Sequence, residues 1–498
     1  MTGKVAVIGS GLGGLTSALI LARAGLKVTL FERQQTTGGY AVQFKRKGYT
    51  FDPALHSVPA GNKGDVFSNL IKDLGLSAQI SFLRMRNGPK VILGNNEYEL
   101  PNDPDQLYRY LWCCFPQEKE NIIRFRAYIE KYSKIYSGIL IENKPLYEAL
   151  PPFLVKLPVF LYQSYESTDK FLSGFFRSPL LKELLFQYAI FMGIPMDEFP
   201  AVNYIMMASM LLTKGMYSIY GGGGGLTNVL TDHFKHAGGI LQLETEITAL
   251  KVYNNKVTSI RDSSGNIYET DAVVANTNLP ELIRMTPKHC LSDSYIKTVS
   301  GLKPSISVVQ LHIGLNCDVS DIGIERHLYF YFPQNNAGQC IKHQRESLYP
   351  EGFSITAPGI TDPHNYKNTK VLSVVGGVNG QKWISLDEKS YREAKDECVK
   401  KLINKLESQF PKIRRHIAVT DLATPRTFER YTGNPGGALM GFNCTCGEHQ
   451  KLLKVSNFPV RNCYIASAWT DKLGGFLQSM RAGQTAAHRV IKQLKRKR

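Results

Sequence analysis

The residues whose types and spacing suit chemistry stand at the start of the chain. Gly9, Gly11 and Gly14 make G-x-G-x-x-G, and a carboxylate follows at Glu32. In such a pattern the first glycine permits a tight turn and the second lets backbone approach a pyrophosphate. The third lets a helix pack closely on a strand. Glu32 stands where an acid would accept a hydrogen bond from a ribose 2′-hydroxyl. It would repel a 2′-phosphate, so FAD or NAD is expected rather than NADP. That chemistry needs particular elements around it, and the sequence supplies them. The apolar run from Val5 to Ile8 reads as a buried parallel strand, Leu15 to Ala24 has helical apolar spacing, and Val28 to Phe31 reads as a second strand. The prediction is a nucleotide-binding βαβ unit, with free N–H groups and a positive dipole at the helix N-terminus facing the phosphates.

Composition bounds the rest. With 498 residues, 43% hydrophobic and 20% charged, the chain is expected to form two intimately packed domains and no disordered region. Nine cysteines lack regular spacing, and the first apolar run carries the glycine pattern rather than a cleavage site. Reduced thiols and a cytoplasmic setting are therefore expected. Cys444-x-Cys446 has no second pair, so no metal site is predicted. The formal net charge of +18 fits an anionic membrane surface or no specific partner. Nucleic acid is not expected, because no nucleic-acid motif accompanies the charge. The densest basic cluster is Lys492, Lys495, Arg496, Lys497 and Arg498, readable as a frayed helix end or as a foot on anionic lipid. Between Pro145 and Leu212 the sequence is rich in aromatics and contains Met206, Met207 and Met210. Such a segment suits a helical core, a lipophilic tunnel or a peripheral membrane contact. Its longest charge-free run, Phe199 to Thr213, is too short for the ~20 apolar residues of a spanning helix.

Glu32-Arg33 is followed by Gly38-Gly39 and then by Gly48-Tyr49-Thr50-Phe51-Asp52. In these residues the chain resembles the FAD-dependent flavoproteins related to amine oxidases, which carry E-[RK]-x4-G-G and then G-[FY]-x-F-D. Within them it is most similar to phytoene desaturases, carotenoid isomerases and retinol saturases. The resemblance implies an α/β fold with a discontinuous Rossmann-type FAD-binding domain from residues 1–90, 215–300 and 450–498. It implies an inserted α+β substrate domain from 91–144 and 301–449, with 145–214 as a helical lid or membrane-associating segment. FAD contacts are implied at Gly9, Gly11, Gly13, Gly14, Glu32, Arg33, Gly38, Gly39, Tyr40 and His56. The glycine run Gly221 to Gly225 opens a helix and the strand Glu246 to Val252 follows, where the backbone of Ile247 would pair with adenine. The strand from Asp271 ends at Asn276 beside the flavin. Ser467-Ala468-Trp469 and then Gly475-Phe476 match the last flavin motif, although Ser467-Ala468 replaces the Gly-Asp usual there. A helix dipole following that motif would stabilise reduced flavin.

The resemblance implies hydride transfer at a carbon–carbon bond of a lipophilic isoprenoid polyene, a carotenoid or retinoid, with desaturation as the leading expectation. Isomerisation and saturation share such a pocket, and the Thr424 to Gly437 segment is closest to isomerases and saturases. An amine oxidase and a non-catalytic prenyl-lipid escort are the alternatives. His56, Arg426, Asp471 and Lys472 are the polar candidates for catalysis. The oligomeric state is left open.

Overall fold

A computed structural model describes residues 3–54, 56–59, 61–141, 162–366, 370–470 and 474–496. Short apolar strands form its first sheet, with order Ile240–Gln242, Lys27–Phe31, Lys4–Ile8, Ala272–Ala275 and Cys463–Ile465. Every pairing in it is parallel. A parallel sheet is covered on both faces, which is why Ala272–Ala275 is apolar and buried throughout. Three stretches distant in sequence thus meet in one sheet. The helices Leu12–Arg23, Gly222–His236 and Phe476–Lys495 share one core with it. The antiparallel strands Ile247–Tyr253, Lys256–Asp262 and Ile267–Glu269 contribute to the core on its other side, where Tyr268 meets Phe31 edge to face at 4.8 Å.

The second sheet has seven strands, ordered Ile417–Ala423, Ser307–Leu315, Val371–Val378, Phe353–Thr356, Leu328–Phe332, Lys90–Leu93 and Asn96–Glu99. Its pairs are antiparallel except for Leu328–Phe332 with Lys90–Leu93. The central strand Ser307–Leu315 alternates with period two. Val309, Leu311, Ile313 and Leu315 enter a core that includes Leu402 and Leu406 of the helix Glu388–Gln409. The opposite face of the strand carries Val308, Gln310 and His312 toward a large cavity.

The described part of the aromatic segment, from Tyr162 onward, is largely interior. Phe171, Phe176, Phe186, Phe199 and Tyr204 are buried, the last two flanking the start of the helix Ala201–Lys214. Tyr162 and Tyr165 remain 54% and 59% exposed. Residues 142–161, with Phe153 and Phe160, lie outside the described residues. No helix among the described residues is long and apolar enough to cross a membrane. The five-glycine run forms the first turn of Gly222–His236 rather than a loop over a nucleotide. A Cβ on Gly222 would collide with Asp52, and one on Gly224 would crowd the Gln43 side chain. Close packing, not ligand approach, therefore demands these glycines.

Candidate active site

One cavity of about 1380 Å³ extends from the glycine loop to the inner face of the second sheet. Small-molecule sites usually hold about 300–1,000 Å³, so there is room for a dinucleotide and a second ligand.

At the nucleotide end, the strand Lys4–Ile8 turns at Gly9, whose φ is +89°. The helix Leu12–Arg23 then starts without a side-chain cap. Oriented as its neighbours require, the Asn276 amide accepts from Gly11 N–H at 2.9 Å and donates to Ala466 O at 2.9 Å. Gly11 N–H is thereby committed within the protein. The helix N-terminus, where Leu12 lines the cavity, keeps its positive dipole toward a phosphate. Glu32 is buried, and its carboxylate accepts from Ser10 N–H (2.8 Å), Ser10 O–H (2.6 Å) and Gln34 N–H (2.9 Å). These three donors fix the carboxylate at the cavity wall, where Arg33 and Ile247 also stand.

Gly38 and Gly39 follow with φ of +123° and +59°, and Gly38 N–H donates to Ser10 O at 3.0 Å. This ties the second glycine pair to the first loop. The Tyr40 hydroxyl donates to Ala438 O at 2.9 Å, and burial pushes its phenol up, so it stays neutral. Farther along, Ser467, Ala468 and Trp469 line the wall after the strand Cys463–Ile465. Trp469 is held by donation from Nε1 to Asn434 Oδ1 at 3.1 Å. Gly475, with φ +108°, introduces the helix Phe476–Lys495, whose N-terminus lines the cavity and has no side-chain cap. An uncapped loop helix, a fixed carboxylate at the cavity wall and a second uncapped helix at the far wall suit FAD.

Beyond that wall the lining is mainly apolar, with Phe191, Met206, Met207, Met210, Phe330 and Phe332, interrupted by polar side chains such as Gln187 and Gln344. His56 joins them, stacked on Phe191 at 5.3 Å and 7°. Its Nδ1 lies 2.7 Å from Thr356 Oγ1, and its carbonyl accepts from His327 Nε2 at 3.0 Å. Burial lowers both rings to about 4, so both are neutral near pH 7.

The cofactor residues read from sequence all line this cavity except Gly13 and Gly14. Those two stand behind the loop. A Cβ on Gly13 would collide with Ala466 O, and one on Gly14 with Gly9 O. Their lack of a Cβ lets the strand and helix pack closely. Arg426 also departs from its expected place. Its guanidinium donates to the carbonyls of Trp383, Ile384 and Leu386, reaches Glu388 at 3.4 Å and covers the Tyr391 ring. The helix Pro425–Thr432 turns Thr427 and Phe428 to the cavity and leaves Arg426 clamping the end of the neighbouring helix. Asp471 and Lys472 lie outside the described residues.

Among the cavity's polar groups not singled out from sequence are Gln310 and His312. Gln310 donates to Ser373 Oγ at 2.6 Å, and His312 lies beside it on the same face of the central strand. The clue available in SISVVQLHIG was that Gln310 and His312 stand two apart, flanked by apolar Val309, Leu311 and Ile313. Asp52, the acid that ends the G-[FY]-x-F-D segment, accepts from Gly223 N–H (3.1 Å), Gln43 Nε2 (3.0 Å) and Tyr366 O–H (2.6 Å). Burial pushes its carboxyl up to about 6, with those donors opposing.

A family model described as flavin containing amine oxidoreductase matches residues 12–491. The chain is similar to 4,4'-diaponeurosporene oxygenase of Staphylococcus aureus (strain bovine RF122 / ET3-1), at 22% identity over 512 residues and 98% of each chain. The protein of the same name from strain MW2 matches at 22% over the same span. Among solved structures, an oxidoreductase from Methanosarcina mazei has a TM-score of 0.66 at 16% identity, covering 97% of this chain and 100% of its own. Putrescine oxidase bound to putrescine has a TM-score of 0.65 at 13% identity, covering 99% of each chain. At these identities the solved structures speak for the fold alone.

Proposed function

Because the chain belongs to the flavin-containing amine oxidoreductase family and is an FAD-dependent oxidoreductase, we propose that it oxidises a lipophilic isoprenoid polyene of the carotenoid class, by desaturation at a carbon–carbon bond. The observation that carries this reading is the apolar lining beyond the flavin wall. Phe191, Phe330, Phe332 and the three methionines offer a hydrocarbon shape and dispersion but no counter-charge. No carboxylate that could face a protonated amine is among the described residues of that wall. The cavity's acids are instead Glu32, Glu244, Glu246 and Glu281 at the nucleotide end, and Asp421, which Arg46 engages at 2.8 Å. The relatives named as 4,4'-diaponeurosporene oxygenases lend independent support to a carotenoid.

FAD, when bound, supplies a two-electron acceptor for hydride. The chain's own residues bind it, exclude water and hold one carbon–carbon bond in place. A second reading, oxygenation of the polyene, is favoured by the name of the relatives alone. So apolar a substrate would be taken from a lipid surface, and the net charge of +18 and the exposed Tyr162 and Tyr165 support peripheral attachment there.

The test is anaerobic mixing of the flavin-loaded protein with linear carotenes of graded saturation. Bleaching of the oxidised-flavin band, with a red-shifted product lacking two hydrogens, supports desaturation. A product that gains oxygen only when air is admitted supports the second reading. Flavin that no polyene bleaches, but that putrescine or another amine does, would overturn both.

A further inference from the structure

We propose that His312 is a polar recognition point in the substrate cavity, taking the hydroxyl or carbonyl oxygen of an otherwise apolar polyene. The inference rests on the polyene reading above and narrows its substrate class to alcohols and aldehydes of that skeleton. His312 is 1% exposed, lines the cavity and has no hydrogen-bond partner at either Nδ1 or Nε2 among the described residues. Buried ring nitrogens are ordinarily satisfied, because leaving them dry and unpaired is unfavourable.

The ring packs edge-on to Phe44 at 5.0 Å and is tilted against Phe51 at 5.2 Å. A phenylalanine would make those contacts without burying two polar atoms. The nitrogens therefore need a reason outside packing. Neighbouring polar groups are already engaged. Across the strands, His312 stands opposite Ser373 and Asp421. Ser373 accepts from Gln310, and Asp421 is held by Arg46. His56 Nδ1 is on Thr356, while His327 uses both nitrogens, on Thr361 and on His56 O. His312 is the uncommitted group of the cluster.

Burial, with His56 and Arg46 nearby, holds this imidazole at about 3, so the ring is neutral near pH 7. A neutral imidazole offers one N–H donor and one acceptor nitrogen. That pair matches a hydroxyl, which both accepts and donates, and its N–H alone matches a carbonyl oxygen. A site built to hydrogen-bond an oxygen function rejects the analogue lacking it far more strongly than an apolar pocket separates hydrocarbons.

The experiment titrates flavin-loaded protein, in detergent micelles, with a linear carotene and with the same carotene bearing a terminal hydroxyl or aldehyde. Binding is read from the shift of the polyene absorption band. Wild-type protein is expected to hold an oxygenated form at least about tenfold more tightly than the hydrocarbon. His312→Phe is expected to abolish that preference and to leave hydrocarbon affinity within about twofold. His312→Gln, which keeps a donor and an acceptor, is expected to retain part of it. Equal wild-type affinities for all three polyenes overturn the proposal, whether or not the phenylalanine variant folds. Equal loss of all three in His312→Phe overturns it as well and makes the ring a packing element. Hydrocarbon binding without preference removes the histidine's role alone, whereas failure of every polyene to bind removes the polyene reading with it.

Discussion

Burial around the cavity sets an acid limit on stability. His56 and His327 are lowered to about 4 and His312 to about 3 in the folded protein, all by desolvation first. Against an unfolded value of ~6.5, each ring favours the folded state above that pH. The contribution is lost as pH falls from about 6.5 through about 4 for His56 and His327, at roughly 3 kcal/mol each, and through about 3 for His312, at somewhat more. Asp52 acts in the opposite sense. Raised to about 6, its carboxyl disfavours the folded state when ionised, and that cost of about 3 kcal/mol fades as pH falls from about 6 to about 4. Denaturant midpoints measured from pH 7 to 4 should therefore fall, and fall more steeply in Asp52→Asn than in wild type. Equal slopes would take Asp52 out of this balance. Arg426 and Glu32 give a second contrast. Arg426→Gln is expected to keep flavin and turnover while losing about 1–3 kcal/mol in a urea melt, because it removes a carbonyl clamp. Glu32→Gln should retain flavin at least about tenfold less well on dialysis, because a fixed charged acceptor is lost. Glu32 was legible in the sequence because its partners are local, Ser10 and Gln34 on the same βαβ unit. Arg426 was not, since the phase of a short helix decides whether it or Thr427 faces the cavity, and packing against Trp383 and Tyr391 sets that phase.

Elements built from local pattern were read closely, and elements defined by what covers them were not. The alternation from Pro304 to Gly314 predicted a strand, and Val371 to Val378 was expected beside it. The two pair antiparallel from Ser307 with Val378 to Gly314 with Val371. What alternation does not reveal is that its polar face is also buried, against a cavity instead of water. The glycines carry a related ambiguity. Gly9 and Gly13 look alike in sequence, yet Gly9 needs its left-handed turn and Gly13 needs bare space beneath Ala466 O. Gly483 adds to this, because a Cβ there would collide with Gly13 O where the helices Leu12–Arg23 and Phe476–Lys495 cross. Gly13→Ala is expected to lower flavin content sharply and to cost about 3 kcal/mol or more, since backbone must move. Gly447→Ala, with nothing within 4 Å of the added Cβ, should stay within about 0.5 kcal/mol of wild type. Equal behaviour of the two in a thermal melt would contradict the packing role given to Gly13.

For the whole molecule, the proposed lipid contact has a direct check. Sedimentation with vesicles containing phosphatidylserine should exceed that with neutral vesicles and weaken as salt is raised, given the net charge of +18. Binding that ignores both lipid charge and salt would leave the charge without that role. The assembly of one sheet from three distant stretches also decides when this protein becomes itself during synthesis. The strand Lys4–Ile8 pairs with Lys27–Phe31 early, but its other neighbour is Ala272–Ala275, and the sheet closes only with Cys463–Ile465. At ~5–20 residues per second, the ribosome leaves that inner edge bare for roughly fifteen seconds to a minute. Throughout that interval the nascent chain offers a hydrophobic strand edge and an incomplete flavin site, so flavin retention is expected only after the last strand has docked.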